Sequence, residues 1–248
     1  MIIKQAGDRL WEIDFLRGIA IVLMIIFHFI YDLNHFSIIY YKLWEGPFAY
    51  TSSIVASIFV LLVGVSLTIN YNKKRNQMSQ KEIQKNWVIR GTKLFSLGLL
   101  ITVISFIIIP DRFVIFGILH CIGISIILSI PFITFTWHNL LFGSILIGSG
   151  LYLRLLSFDF SWLIPIGFLP PKYYTIDYFP LLPWFGVVLI GISLGHYLYP
   201  KGQRRYHIPD IPIKGFNQKI CFMGRHSLQI YFLHQPVLIS IILIFMIF

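Results

Sequence analysis

Along this chain, long apolar runs alternate with short polar or proline-bearing segments. The runs lie near 14–36, 50–70, 90–109, 114–132, 139–156, 179–198 and 226–248. Each is about 20 residues long, which at 1.5 Å per helical residue crosses roughly 30 Å of hydrocarbon. Lipid offers no partner for backbone N–H and C=O groups, so such runs are expected as helices. The expected fold is all-α, a polytopic membrane helix bundle of about seven transmembrane helices. No long linker, soluble insertion or low-complexity tract interrupts the pattern, so residues 1–248 are expected to form a single integral-membrane domain.

Composition agrees: 57% of residues are hydrophobic and only 12% are charged, where a soluble domain carries about 25%. The net charge of +10 raises nucleic acid as a partner, but the placement of Lys and Arg argues against it. They gather at the N-terminus (Lys4, Arg9), in "NKKRNQMSQKEIQK" and in "KGQRRYHIPDIPIKGFNQK". These segments fall on one side of the membrane, while Lys42, Arg112, Arg154 and Lys172 fall on the other. That is the positive-inside pattern. It predicts a cytoplasmic N-terminus, an external C-terminus and a multi-pass protein of the cell membrane. No continuous basic face exists, so no nucleic-acid partner is expected.

Cys121 and Cys221 suggest neither a disulfide framework nor a metal site. The first run is too long for a signal-peptide core and lacks a small-residue cleavage pattern, so its helix is expected to be retained. "GISLG" (Gly191, Gly195) is a GxxxG helix-packing cue, often accidental in Gly-bearing apolar helices.

The first run, "EIDFLRGIAIVLMIIFHFIYDLNHF" (12–36), carries Asp14, Arg17, His28, Asp32 and His35. At 100° per residue, Arg17 to His28 is a net rotation of about 20°, and the other steps are three or four residues. All five groups therefore share one stripe. A charge at the bilayer centre costs at least about 2.5–3.5 kcal/mol, so the stripe should face protein or water. His120, in the fourth run, and Asp177, at the start of the sixth, are expected at a similar outer depth. Singly, a buried His is commonly a satisfied hydrogen-bond partner, and Asp14 with Arg17 could be an anchoring ion pair. As a row, the groups mark a functional site.

Four stretches then resemble a known family: "EIDFLRGIAIVLMIIFHFIYDL", "FGILHCIGIS", "DYFPLLPWFG" and "GRHSLQIYFLHQPVL". The first is similar to the opening helix of the transmembrane acyltransferase superfamily, and Arg17 and His28 match the Arg-x10-His motif of its acyltransferase 3 branch. Taken together they resemble more closely the branch of the heparan-α-glucosaminide N-acetyltransferase catalytic domain and its prokaryotic relatives. The resemblance implies transfer of an acyl group, usually acetyl from acetyl-CoA, to a hydroxyl or amine of a sugar-like acceptor across the membrane. It implies a catalytic His in the first helix, His28 or else His35, because the heparan enzyme has Asn at the position of His28.

On that reading, a neutral His28 takes the acceptor's proton and Asp32 orients the ring, while Arg17 assists from the inner end. Arg90 and Lys93, taken as the start of the third helix, and Arg225, taken as the start of the seventh, are candidates for the CoA phosphates because helix N-termini favour anions. Tyr231 and His234 would line the thioester path, and His120, Asp177 and Tyr178 the acceptor side. The expected partners are the acyl donor, the acceptor and the bilayer, with a homodimer left open and no metal. The competing class is a proton-coupled transporter or channel using the same His/Asp stripe. Against it stands the lack of an internal repeat. The soluble glycerolipid acyltransferase signature, His-x4-Asp, fails because His28 and Asp32 are spaced His-x3-Asp.

Overall fold

The computed structural model describes residues 10–43, 45–208 and 215–247. Lys4, Arg9 and Lys214 of the expected cytoplasmic segments lie outside the described residues. Eight α-helices account for the described fold: α1 (Trp11–His35), α2 (Thr51–Lys74), α3 (Gln80–Ile108), α4 (Ile118–Leu128), α5 (Trp137–Leu153), α6 (Leu181–Leu198), α7 (Phe216–Arg225) and α8 (Ser227–Ile247). No strand occurs among the described residues; one isolated bridge joins Phe116 to Tyr178. The protein is an all-α membrane protein.

Among the described residues, five helices are long and apolar enough to cross a bilayer: α1, α2 with the turn before it, α3, α6 and α8. The expectation of seven spans meets two short helices, since α4 has 11 residues and α5 has 17. The end of α4 has a local cause: Pro131 disfavours helical geometry at Ile130, and the chain leaves in successive turns.

Two boundaries differ from the hydropathy reading. Helix α3 begins at Gln80, about ten residues before the apolar run. Ser79 Oγ accepts from the Glu82 N–H at 3.3 Å, and a Glu82 carboxylate oxygen accepts from the Ser79 N–H at 2.8 Å. This is a capping box, and "SQKE" is its sequence signature. Helix α7 lies inside what reads as a basic loop. Its Ile220, Cys221 and Gly224 are buried, at i, i+1 and i+4, so one face of a polar segment is in the protein.

The described residues fall into two compact units: those up to Phe59 together with those from Gly215 on, and Val60–Ile208. In the first, α1 packs against α7 and α8. A Cβ on Gly18 would run into the Ile220 carbonyl oxygen, and one on Gly224 into the Asp14 carbonyl oxygen. Glycine at both positions is what lets α1 and α7 touch backbone to backbone. Ile21, Met24 and Val55 form the buried centre, with Ile25, Phe59, Met223, Ile230 and Tyr231 around it.

In the second unit, α3 pairs with α4 and α5 with α6. A Cβ on Gly91 would sit 2.6 Å from the Gly123 carbonyl oxygen, and one on Gly143 would sit 2.7 Å from that of Gly186. The "GISLG" pair is also a crossing: a Cβ on Gly191 would meet the Leu61 carbonyl oxygen, and one on Gly195 would meet Thr68.

Candidate functional site

Two polar clusters, one in each unit, bring candidate residues together. In the first unit, consecutive turns of α1 present His28 and Asp32 to α8, which answers with the consecutive residues His234 and Gln235. The rings of His28 and His234 meet edge to face, centroids 4.8 Å apart. One helical turn on, the Gln235 amide donates to both oxygens of the Asp32 carboxylate, at 2.8 and 3.1 Å. Asp32 is only 3% exposed. Its hydrogen bonds come from Gln235 rather than from the ring of His28.

The two imidazoles are held alike. His28 Nδ1 lies 2.9 Å from the Met24 carbonyl oxygen, and His234 Nδ1 lies 2.6 Å from that of Tyr231. A carbonyl oxygen only accepts, so each Nδ1 carries the hydrogen and each Nε2 keeps its lone pair. Among the described residues, Nε2 of His234 and Oε1 of Gln235 are buried without a hydrogen-bond partner. Phe27 packs edge-on to His28 at 5.6 Å and stacks on Phe48 at 5.2 Å, closing one side of the ring.

Of the remaining first-unit candidates, Tyr231 borders this quartet and the others stand apart. His35 is exposed and stacks parallel to Tyr31, 6.3 Å between centroids. Arg17 lies 3.9 Å from Asp14, three residues earlier on α1. Tyr231 packs against the buried centre and places its ring 5.6 Å from that of His234. Arg225 ends α7 instead of opening the last helix; it is exposed, and its Nε donates to the Cys221 carbonyl oxygen at 3.3 Å. The carbonyl end of a helix does not attract anions, so the expected dipole contribution from that helix is absent.

Arg90 and Lys93 need the same correction. Both are exposed, but the Ser79 cap starts α3 at Gln80 and leaves them in the helix interior, where no free amide N–H groups remain.

In the second unit, His120 is the third residue of α4 and is 1% exposed. Its Nδ1 accepts from the Gly117 N–H at 3.2 Å, and its Nε2 lies 3.5 Å from Thr102 Oγ1, whose hydroxyl donates to the Val114 carbonyl oxygen at 2.7 Å. Both ring nitrogens are thus engaged within the fold, one of them capping α4. Phe116 stacks on the ring at 5.4 Å. Gly98 of α3 leaves room for it, since a Cβ there would come within 2.9 Å of the imidazole.

Asp177 reaches over the same helix end, where its carboxylate accepts from the Ile118 N–H at 3.2 Å. Burial pushes its pKa from 3.8 up to about 6, and the bond from Ile118 offsets only part of that. Tyr178 donates its hydroxyl to the Ile164 carbonyl oxygen at 2.8 Å.

Sequence reasoning did not single out Met24 or Gln235. Nothing in an apolar side chain announces that its carbonyl will fix a tautomer four residues later. Gln235 did carry a signal, an amide between His234 and Pro236 in a largely apolar run.

Compared with known proteins, the chain matches one family over residues 9–236, described as "Heparan-alpha-glucosaminide N-acetyltransferase, catalytic". No curated protein and no solved structure gave a match. The matched stretch includes α1 to α7 and the turns of α8 that carry His234 and Gln235. The chain therefore belongs to the family of the heparan-alpha-glucosaminide N-acetyltransferase catalytic domain, a family of transmembrane acetyltransferases.

Proposed function

We propose that this protein moves an acetyl group from cytoplasmic acetyl-CoA to a hydroxyl or amine of a sugar-like acceptor on the outer side of the cell membrane, with His28 as general base. Family membership supports the reaction class. The observation that carries the residue assignment is the bond from His28 Nδ1 to the Met24 carbonyl oxygen, because it leaves the Nε2 lone pair free.

In the proposed step, the acceptor's heteroatom attacks the thioester carbonyl carbon while His28 Nε2 takes its proton. The carbon–sulfur bond breaks, and the CoA thiolate leaves with the proton that the imidazolium returns. Asp32, one turn away, stabilises the imidazolium through space, without the direct hydrogen bond of a hydrolase triad. His35 is the second candidate base. Arg90, Lys93 and Arg225 remain candidates for the CoA phosphates as point charges, without help from a helix end. His234 and Tyr231 line the thioester path beside His28. Asp177 and Tyr178 are candidates for the acceptor side, while His120, with both ring nitrogens engaged, supports that side from the start of α4.

The deciding experiment is turnover of labelled acetyl-CoA by purified protein against a panel of sugars and amino sugars. Label reaching an acceptor in wild type, lost in His28→Ala and kept in His35→Ala, supports the reading as written. Loss in His35→Ala with activity retained in His28→Ala moves the base to His35. Label reaching no acceptor, together with pH-dependent ion flux in vesicles, would replace it with the transporter reading.

A further inference from the structure

Asp32 is held by a residue that the reaction scheme does not yet use. A buried carboxylate placed to steady His28 must itself be kept in one orientation. Its hydrogen bonds come from α8, where the Gln235 amide reaches both oxygens at 2.8 and 3.1 Å. Carboxylate oxygens only accept, so the amide's N–H2 side is committed to Asp32 and its Oε1 must point away. That Oε1 is buried with no partner among the described residues. An amide present only to fill space between two helices would be disfavoured there, since leaving an acceptor dry is costly. The arrangement is intelligible if holding Asp32 is what the amide is for.

Register supports the same conclusion. Consecutive residues of α8 meet groups four apart on α1, with His234 packing on His28 and Gln235 bonded to Asp32. A change in the Gln235 contact therefore alters where the Asp32 charge sits relative to His28. We propose that Gln235 is a positioning residue, whose amide fixes the Asp32 carboxylate in the place from which it acts on His28. This inference rests on His28 being the base.

The test compares wild type, Gln235→Leu and Gln235→Glu by kcat and KM for acetyl-CoA, per folded molecule recovered from gel filtration, from about pH 5.5 to about pH 8. Removal of a group that orients a functional side chain costs on the order of 10–100-fold. Gln235→Leu should therefore lose about that much in kcat, with KM for acetyl-CoA within about twofold of wild type.

Gln235→Glu keeps the size of the side chain, but it can donate to Asp32 only while the two carboxyl groups share a proton. The new carboxylate also faces the other titratable groups around Asp32 (His28 and His35 of α1, His234 of α8), so the same ratio is taken in an Asp32→Asn background, where those groups remain and the shared proton does not. The rate of Gln235→Glu relative to wild type should fall as pH rises, while that of Gln235→Leu stays flat. A purely structural glutamine would not impose that trend.

Gln235→Leu turning over like active wild type, or a pH-independent ratio for Gln235→Glu, overturns the inference and leaves the acetyltransferase reading standing. Wild type that transfers no acetyl group defeats both. Should Gln235→Leu fail to fold, the pH trend of Gln235→Glu decides.

Discussion

His28 in the first unit and His120 in the second both sit on apolar helices with an aspartate nearby, yet their ring nitrogens are engaged differently. His120 has a bond at each nitrogen, to the Gly117 N–H and toward Thr102, so the fold uses the whole imidazole. His28 gives one nitrogen to the Met24 carbonyl oxygen and has no hydrogen-bond partner for the other among the described residues. A fully engaged imidazole is a structural part, and a half-engaged one can exchange a proton with a ligand. The contrast turns two similar sequence features into opposite expectations.

The largest expected effect breaks the first side of that contrast. Loss of a general base typically costs 10²–10⁴ in rate. His28→Ala should lower acetyl transfer per folded molecule by about that factor, roughly 3–5 kcal/mol in the barrier, while changing the thermal midpoint far less. Initial rates and melting curves on the same preparation measure both.

His120→Ala should do the reverse. It strips the Gly117 N–H of its acceptor and empties a stacked site between Phe95 and Phe116. Removal of a fully buried ring and its bonds costs about 3–5 kcal/mol of stability. The thermal midpoint should fall steeply, with turnover per surviving folded molecule within about threefold of wild type. A His120→Ala protein as stable as wild type but inactive would erase the distinction and restore His120 to the chemistry.

Gly98→Ala probes the same ring from outside. The new methyl group would come within 2.9 Å of the imidazole across α3 and α4. Overpacking of this kind costs about 1–3 kcal/mol. The midpoint should drop by less than in His120→Ala, again without a matching loss of turnover.

How far all this could be read from sequence follows one physical rule. Hydropathy reports burial in lipid, so the apolar runs that became α1, α2, α6 and α8 were legible from length alone. It is blind to polar helix, which is why the first ten residues of α3 and the whole of α7 escaped it. Both had local signals: the Ser79–Glu82 box, and the spacing of Ile220 and Gly224. The site was legible as a stripe, since helical geometry alone aligns His28 with Asp32. Its partners were not, because Asp32 meets a residue 203 positions away. Spacing within one helix cannot say which carbonyl fixes a tautomer or which amide holds a carboxylate. It favoured a direct Asp32–His28 bond that the hydrogen bonds do not contain.

The smallest effect concerns the carboxylate beside His120. Asp177 lies before α6, with its pKa pushed from 3.8 to about 6 by burial, so the folded protein holds a proton that the unfolded chain has released. Where the native state binds more protons, stability falls as pH rises. The contribution is therefore greatest below the unfolded value, declines through the window between 3.8 and about 6, and is gone above it. Between pH 5 and pH 7 the change amounts to about 1 kcal/mol, with the protein more stable at the lower pH. Other groups titrate in that range, so the measurable quantity is the difference between wild type and Asp177→Asn, whose amide oxygen can still accept from the Ile118 N–H. The wild-type midpoint should gain on the variant's as pH is lowered from 7 to 5. Parallel midpoints across that range would mean that Asp177 is ionised in the folded protein, held as an anion at the end of α4, and thereby better suited to bind a cationic acceptor than to donate a proton to a neutral one.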